Sequence, residues 1–208
     1  MSNYLFLDFL LTFTRFFKLQ KDTSLITNSQ VYFTWMDLEY RAFMIQMMVM
    51  LEPVRIPKRT ILVDELEECA EVMFINEGQV VVGYEINKQK KYCLRFTDYC
   101  VVSAYNVTFN ERAAFIYTAL TNLNGFFIRK QNWYYLLQDN PLIAYAMRRS
   151  IIFNYTFKIR SKVLAKKNMA MQEVVKRNDF QRIMAWKQLD QTTLQNVTVC
   201  TCEEMTVE

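Results

Sequence analysis

The sequence predicts an α+β fold: an antiparallel β-roll of about eight strands, a double-stranded β-helix or jelly roll, with helices before and after it. Three observations carry this. From Val54 to Arg129 the chain breaks into short runs rich in Val, Ile, Phe and Tyr, with turn signals about every 8–12 residues. On both sides of that stretch, apolar residues recur at helical spacing instead. Gly and Pro number only three each in 208 residues, so low-complexity linkers are absent and each Gly is expected to meet a backbone need.

Residues 4–17 place Leu5, Phe6, Phe9, Leu10, Phe13 and Phe17 on one helical stripe. Such a stripe suits either a membrane surface or a neighbouring helix or subunit, and the presence of Asp8 and Arg15 favours the second. In "TWMDLEYRAFMIQMMVML", Thr34 stands as a helix cap with Asp37 three residues on, and Pro53 marks the end. The expected buried side is Met36, Tyr40, Phe43, Met44, Met47 and Leu51.

The strand candidates follow in order. "TILVDEL" comes first, then "EVMFIN" and "QVVVGYEI", which flank Glu77-Gly78. That pair reads as a hairpin turn in which Gly78 supplies a positive φ. "KYCLRF" alternates, with Tyr92, Leu94 and Phe96 on one face and Cys93 and Arg95 on the other. "VVSAY", "AAFIYTAL" and "GFFIRK" complete the set. Helical texture then returns. "QNWYYLLQDN" is a short helix, and a long one opens at Pro141, a permitted first-turn residue. The cluster Lys158, Arg160, Lys162, Lys166 and Lys167 predicts that this helix ends there. "VVKRNDFQRIMAWKQL" reads as a further helix, followed by a loose polar end. The expected organisation is a helical linker over 1–52, the roll with its helices over 53–167, and a helical or flexible tail over 168–208.

Composition narrows the function classes. Hydrophobic residues make up 52% and charged residues 22%, which permits a packed core. A net charge of +4 is too mild to point to nucleic acid. The absence of histidine removes His-based triads, His-ligated zinc and imidazole acid–base chemistry, so neither an enzyme nor a metal site is expected. The five cysteines are irregularly spaced and read as free thiols; the C-x-C at Cys200 and Cys202 is weak evidence for metal. No signal peptide stands out, and the apolar run from Ala42 to Leu51 is half the ~20 residues a bilayer span needs. A cytoplasmic location follows, with the sequons at Asn106, Asn154 and Asn196 unmodified.

Two segments carry a family resemblance. "EVMFINEGQVVV" and "ERAAFIYTALTNLNGFFIRKQNWYYLLQDNP" resemble the early hairpin and the phosphate-binding cassette of the cyclic-nucleotide-binding domain family. Upstream, "YFTWMDLEYRAFMIQMMVMLEPVRIPKRTILVDELEE" is similar to the linker that joins a pore to this domain in tetrameric channels, and "GYEINKQKKYCLRF" and "NVTFNERAAFIY" are similar to ciliate-type potassium-channel sequences.

The resemblance covers about residues 5–167. It implies a regulatory domain of a cation (potassium) channel on the cytoplasmic face of a membrane, whose partners are the channel's transmembrane domain and neighbouring subunits. The isolated chain is expected to be monomeric. Carried over by motif, Arg112 takes the place of the phosphate-binding arginine, with Ala113 and Ala114 behind it. Ser103 and Ala104 fall where the family has Gly-Glu, so the carboxylate that accepts from the ribose is missing, and the turn is about one residue short. Glu111, next to Arg112, is a rival partner for it. The resemblance therefore implies a degenerate site, with cyclic AMP or cyclic GMP bound weakly or not at all and no other cofactor. The alternatives are a working cyclic-nucleotide sensor, or a stand-alone structural relative with no ligand.

Overall fold

The computed structural model describes residues 32–97 and 99–200, with Phe13, Phe17 and Leu19 at isolated positions before them. Most of the expected 4–17 helix and residues 201–208, Cys202 among them, lie outside the described residues. Phe13 and Phe17 are buried, and the Phe13 ring lies 6.0 Å from Phe43 and 6.5 Å from Phe74.

Helix α1 spans Leu38–Met50 and buries Tyr40, Phe43, Met44 and Met47. It starts later than the sequence suggests. Asp37 is the N-cap residue, and its carboxylate turns back to accept from the Thr34 N–H at 2.8 Å. Met36 therefore sits in the turn before the helix and is exposed, contrary to its predicted burial.

Eight strands follow: β1 Glu52–Ile56, β2 Ile61–Val63, β3 Glu71–Glu77, β4 Gln79–Ile86, β5 Gln89–Thr97, β6 Cys100–Val102, β7 Ile116–Ala119 and β8 Leu123–Arg129. They form two four-stranded sheets, in the orders β1-β8-β3-β6 and β2-β7-β4-β5, and every pairing is antiparallel. This is the α+β β-roll that the run lengths predict. Residues buried from both sheets, among them Val72, Phe74, Val80, Val82, Ile116 and Phe126, form its core.

Three details correct the sequence reading. Gly78 does carry a positive φ of 104°, but β3 and β4 belong to different sheets, so Glu77-Gly78 is a sheet-switching turn and not a hairpin. A side chain at Gly78 would also collide with the Asn122 carbonyl. The true hairpin here joins β4 to β5 through Asn87 and Lys88, with φ of 52° and 60°, the signs of a type I′ turn. Second, β5 bulges opposite Val82/Gly83, where Val82 pairs with Leu94 and Gly83 with Tyr92. The alternation breaks there, so Tyr92 is exposed while Leu94 and Phe96 are half-buried. Third, "VVSAY" is not a strand throughout. β6 stops at Val102, and Ala104–Phe109 forms the short helix α2.

After β8, helix α3 spans Lys130–Asp139 and α4 spans Pro141–Phe153. A π-helical segment, Asn154–Arg160, comes next, and α5 runs over Ser161–Cys200. The basic cluster is thus no terminus. Its side chains extend into solvent or lie half-buried, and the backbone continues its hydrogen bonding through it. The chain divides into two compact units, Met1–Leu164 and Ala165–Glu208; within the second, α5 continues to Cys200 with most described side chains from 165 to 178 exposed. Among the described residues, no helix is long and apolar enough to cross a membrane.

Candidate functional site

The site grows from the point where β6 ends. Ser103 sits at φ 65°, ψ 1°, a left-handed conformation that favours glycine, and this turns the chain out of the sheet and into α2. Asn110, at φ 54°, closes the helix in the same conformation. Helix α2 is then fastened from behind by α3. The buried Trp133 Nε1 donates to Thr108 Oγ1 at 2.9 Å, the Tyr134 hydroxyl donates to the Val107 carbonyl at 2.7 Å, and Lys130 Nζ donates to Asn110 Oδ1 at 2.6 Å. The loop after α2 folds back under it: Asn106 Nδ2 donates to the Arg112 carbonyl at 2.9 Å, and the Glu111 N–H to the Asn106 carbonyl at 2.9 Å. Ala113 is fully buried and locked by a two-way backbone pairing with Leu66 and Glu67, at 2.7 and 2.9 Å.

The predicted site residues divide into two groups. Ser103 and Ala104 are buried and line a cavity of about 10 Å³, together with Tyr105, Tyr117, Tyr155 and Ile159. Arg112, Ala113 and Ala114 do not line it. The Arg112 guanidinium lies on the surface, its side chain 66% exposed, and its carboxylate partner is Glu68 at 3.5 Å. Glu111 does not satisfy it; that carboxylate accepts from the Tyr105 hydroxyl at 3.4 Å. An exposed pair this long contributes little to stability. Ala114 is exposed.

What fills the site was not foreseen. Tyr155, from the π-helical segment, stacks on Tyr105 of α2 with ring centroids 3.9 Å apart and planes 8° from parallel. Phe115 flanks Tyr155 at 6.2 Å. Burial pushes the Tyr155 hydroxyl up to about 12, and the neighbouring Tyr105 adds to the shift. Burial also raises Tyr105 and, most strongly, Tyr117. At neutral pH every phenol here is therefore protonated, and no charged side chain lines the small cavity. The Ser103 hydroxyl is buried and makes no hydrogen bond, and burial raises the nearby Cys69 thiol. The chemistry on offer is neutral packing and hydrogen bonding. Among the described residues, no cluster of Cys, Asp and Glu is placed to hold a metal. A second cavity of about 150 Å³ adjoins the first through Val101, Tyr117 and Ile159, with Phe96, Asn154 and Lys158 on its wall.

No family model matches the chain, and no curated protein matches it by sequence. Its fold does have matches among solved structures. A cyclic-nucleotide-binding domain from Methylobacillus flagellatus KT superposes with a TM-score of 0.58, covering 77% of this chain and 83% of that one at 14% identity. The regulatory domain of Toxoplasma gondii PKA, crystallised with cAMP, gives 0.53 over 72% of this chain and 48% of that one at 8% identity. The cAMP-bound PfPKA-R gives 0.51 over 67% and 44% at 13% identity. The fold is that of a cyclic-nucleotide-binding domain. At these identities the likeness is one of fold. The chain spans about half the length of the two PKA regulatory chains it matches, 44% and 48%. None of the three is described as an ion channel, so the likeness that stands is of fold, to cyclic-nucleotide-binding domains at large. The turn at Ser103, helix α2 and the loop to Ala114 make up the segment that the sequence resemblance marks as the cassette, and the π-helical segment after α4 packs against it through Tyr155.

Proposed function

We propose that this chain is the regulatory, cyclic-nucleotide-binding-like domain of a cation channel of the potassium-channel type, on the cytoplasmic face of a membrane, with a ligand site that no longer takes a nucleotide. Residues 1–52 would be the linker to the pore, 53–167 the sensor-derived domain and 168–208 its tail. Arg112, Ala113 and Ala114, with Ser103 and Ala104, are the remnant of the phosphate and ribose site. The channel assignment rests on the resemblance of the linker and roll sequences.

The observation that carries the loss of ligand is the Tyr105–Tyr155 stack over a neutral cavity of about 10 Å³. Small-molecule sites are typically about 300–1,000 Å³. A cyclic phosphate entering this small cavity would give up water without meeting Arg112, which stays outside; Lys158 lines only the adjoining cavity, itself about 150 Å³. Ala104, where the ribose carboxylate stands in the resemblance, leaves the 2′-hydroxyl unpaired at a cost of about 1–3 kcal/mol, or one to two decades of affinity. Regulation would then pass through the chain's own contact: the stack ties the cassette to the helix over it, and any shift of that helix biases the linker only as far as its two positions differ in free energy.

Calorimetry with cyclic AMP and cyclic GMP tests this. The expected result is no saturable binding below about 100 µM. With the stack removed by Tyr155→Ala, Ala104→Glu, alone or with Ser103→Gly, should recover measurable binding, and adding Arg112→Ala should abolish it. Micromolar binding by the unaltered chain would overturn the proposal in favour of a working sensor whose Tyr155 swings aside.

A further inference from the structure

The outer side of the helical run after Pro141 combines two properties that the cassette does not use. Leu142, Tyr145, Ile152, Phe153, Phe157 and Leu164 are exposed there, Leu142 and Phe157 by about 60% of their surface (61% and 60%). The opposite side of the same run is the buried one, formed by Ile143, Met147, Ile151, Tyr155, Ile159 and Val163. Phe153 and Phe157 lie side by side, their centroids 5.0 Å apart. Arg149 sits over the Tyr145 ring at 5.9 Å.

The second property is charge. Between Asn140 and Leu164 the chain carries Arg148, Arg149, Lys158, Arg160 and Lys162 and neither Asp nor Glu. All five cations are exposed, and no ion pair among the described residues engages them. An exposed face with aromatic and aliphatic residues between unpaired cations calls for a partner that is apolar and anionic at once.

We propose that this face binds the surface of an anionic lipid bilayer. Three arguments select that occupant. A second copy of the same face would bring five cations against five with no carboxylate between them, which opposes self-association. The exposed apolar residues of this face line neither cavity described above, so they offer a protein partner little to recognise by shape. A bilayer interface needs only shallow apolar insertion with positive charge around it, and long Lys and Arg side chains can reach headgroups while Phe and Leu enter the acyl boundary. Each cation near an anionic surface contributes about a factor of five in affinity. Arg148, Arg149, Phe153 and Phe157 line neither cavity, so the proposal and its variants stand whether or not a nucleotide binds, while Lys158 borders the larger cavity.

The test is co-sedimentation of the full chain with phosphatidylcholine vesicles, and with the same vesicles containing phosphatidylserine as the minor lipid. The expected result is binding to the second kind only, weakened by salt. Arg148→Glu with Arg149→Glu should lower it at least tenfold, as should Phe153→Ser with Phe157→Ser, while Arg148→Lys with Arg149→Lys should retain it. All these positions are exposed, and an unchanged urea midpoint checks that each variant is folded. Equal binding to both vesicles, or to neither, overturns the proposal. Unchanged binding after charge reversal also overturns it, since another segment would then hold the lipid. Equally tight binding to soluble polyglutamate that ignores the Phe pair would assign the face to an acidic macromolecule. Self-association abolished by the Phe pair would assign it to a second copy. Either outcome rejects the bilayer.

Discussion

Phe74 and Tyr155 are both buried aromatic residues, yet they are held by different means. Phe74 lies mid-strand in β3, paired with Val101 on one side and Phe126 on the other, and its ring is 6.4 Å from Trp133. Two ladders hold its backbone in addition to its side-chain packing. Tyr155 has no ladder. It is carried on a π-helical segment and held chiefly by its ring, against Tyr105 and Phe115. The roll is thus over-determined by backbone pairing, whereas the cassette and the helix over it meet through a few side chains. The second kind of contact gives way first, and a regulatory movement needs such a contact.

The largest effect should come from the roll. Phe74→Ala removes a fully buried ring at the meeting point of strand and helix, and should cost about 4 kcal/mol by urea unfolding. Tyr155→Ala should cost less, about 2 kcal/mol, because part of the overlying helix can settle into the space. It should also speed amide exchange in α2 more than in β3. Uniform exchange loss across both would remove the distinction between them. Gly78→Ala comes next, at about 1–3 kcal/mol, since alanine is strained at φ 104° and its Cβ meets the Asn122 carbonyl.

Alkaline pH sharpens the comparison further. Tyr40 and Tyr155 are raised to about 12 by burial, and Tyr117 is raised further. A folded-state value above the unfolded one means that stability is fully present below about pH 10 and is lost as pH rises toward 12, at about 1.4 kcal/mol per unit for each group. Tyr117→Phe should move the alkaline unfolding midpoint upward while changing stability at neutral pH little; a midpoint that stays put would mean other groups govern it. The smallest effect belongs to Asp64, paired with Lys90 at 2.6 Å. That contact lowers Asp64, so its contribution is present above the unfolded carboxylate value and fades as pH falls through the folded one. Both side chains are partly exposed, so Asp64→Asn should cost under about 1 kcal/mol, read by thermal melting at neutral and acid pH.

How far each region was legible in the sequence follows the same division. Seven short runs could be read because a strand paired on both sides must alternate or stay apolar, and β3, β4 and β8 do, whereas β1, Glu52–Ile56, went unread beside Pro53, which marked only the helix end. The turns were read only where glycine marked them. Ser103, Asn110, Asn87 and Lys88 take positive φ without being Gly, and for that reason the strand-to-helix switch at Ser103 and the hairpin at Asn87-Lys88 went unseen. Ser103 and Ala104 entered by family resemblance. Tyr105 and Tyr155 could not have been paired from spacing, because their stack joins residues far apart in the chain through a helix whose register is set elsewhere. The partner of Arg112 was missed for the same reason, since Glu68 arrives from the loop before β3. The sequons at Asn106 and Asn154 fall on side chains that are only 3% and 4% exposed, and the Asn106 amide is spent on the Arg112 carbonyl.

The π-helical segment also keeps the helix in phase. Ile143, Met147, Ile151, Tyr155, Ile159 and Val163 are all buried, and they recur every four residues. On a regular α-helix a four-residue repeat drifts by about 40° at each step, so a stripe of this length would wind to the far side. The wider turn over Asn154–Arg160 absorbs part of that drift. If the same seven residues closed into ordinary α-helix, Ile159 and Val163 would rotate away from the buried side while Tyr155 stayed, whereas deleting one residue there would restore the phase in regular α-helix. The wider winding therefore acts as a clutch: it decides which side chains beyond Tyr155 stay engaged.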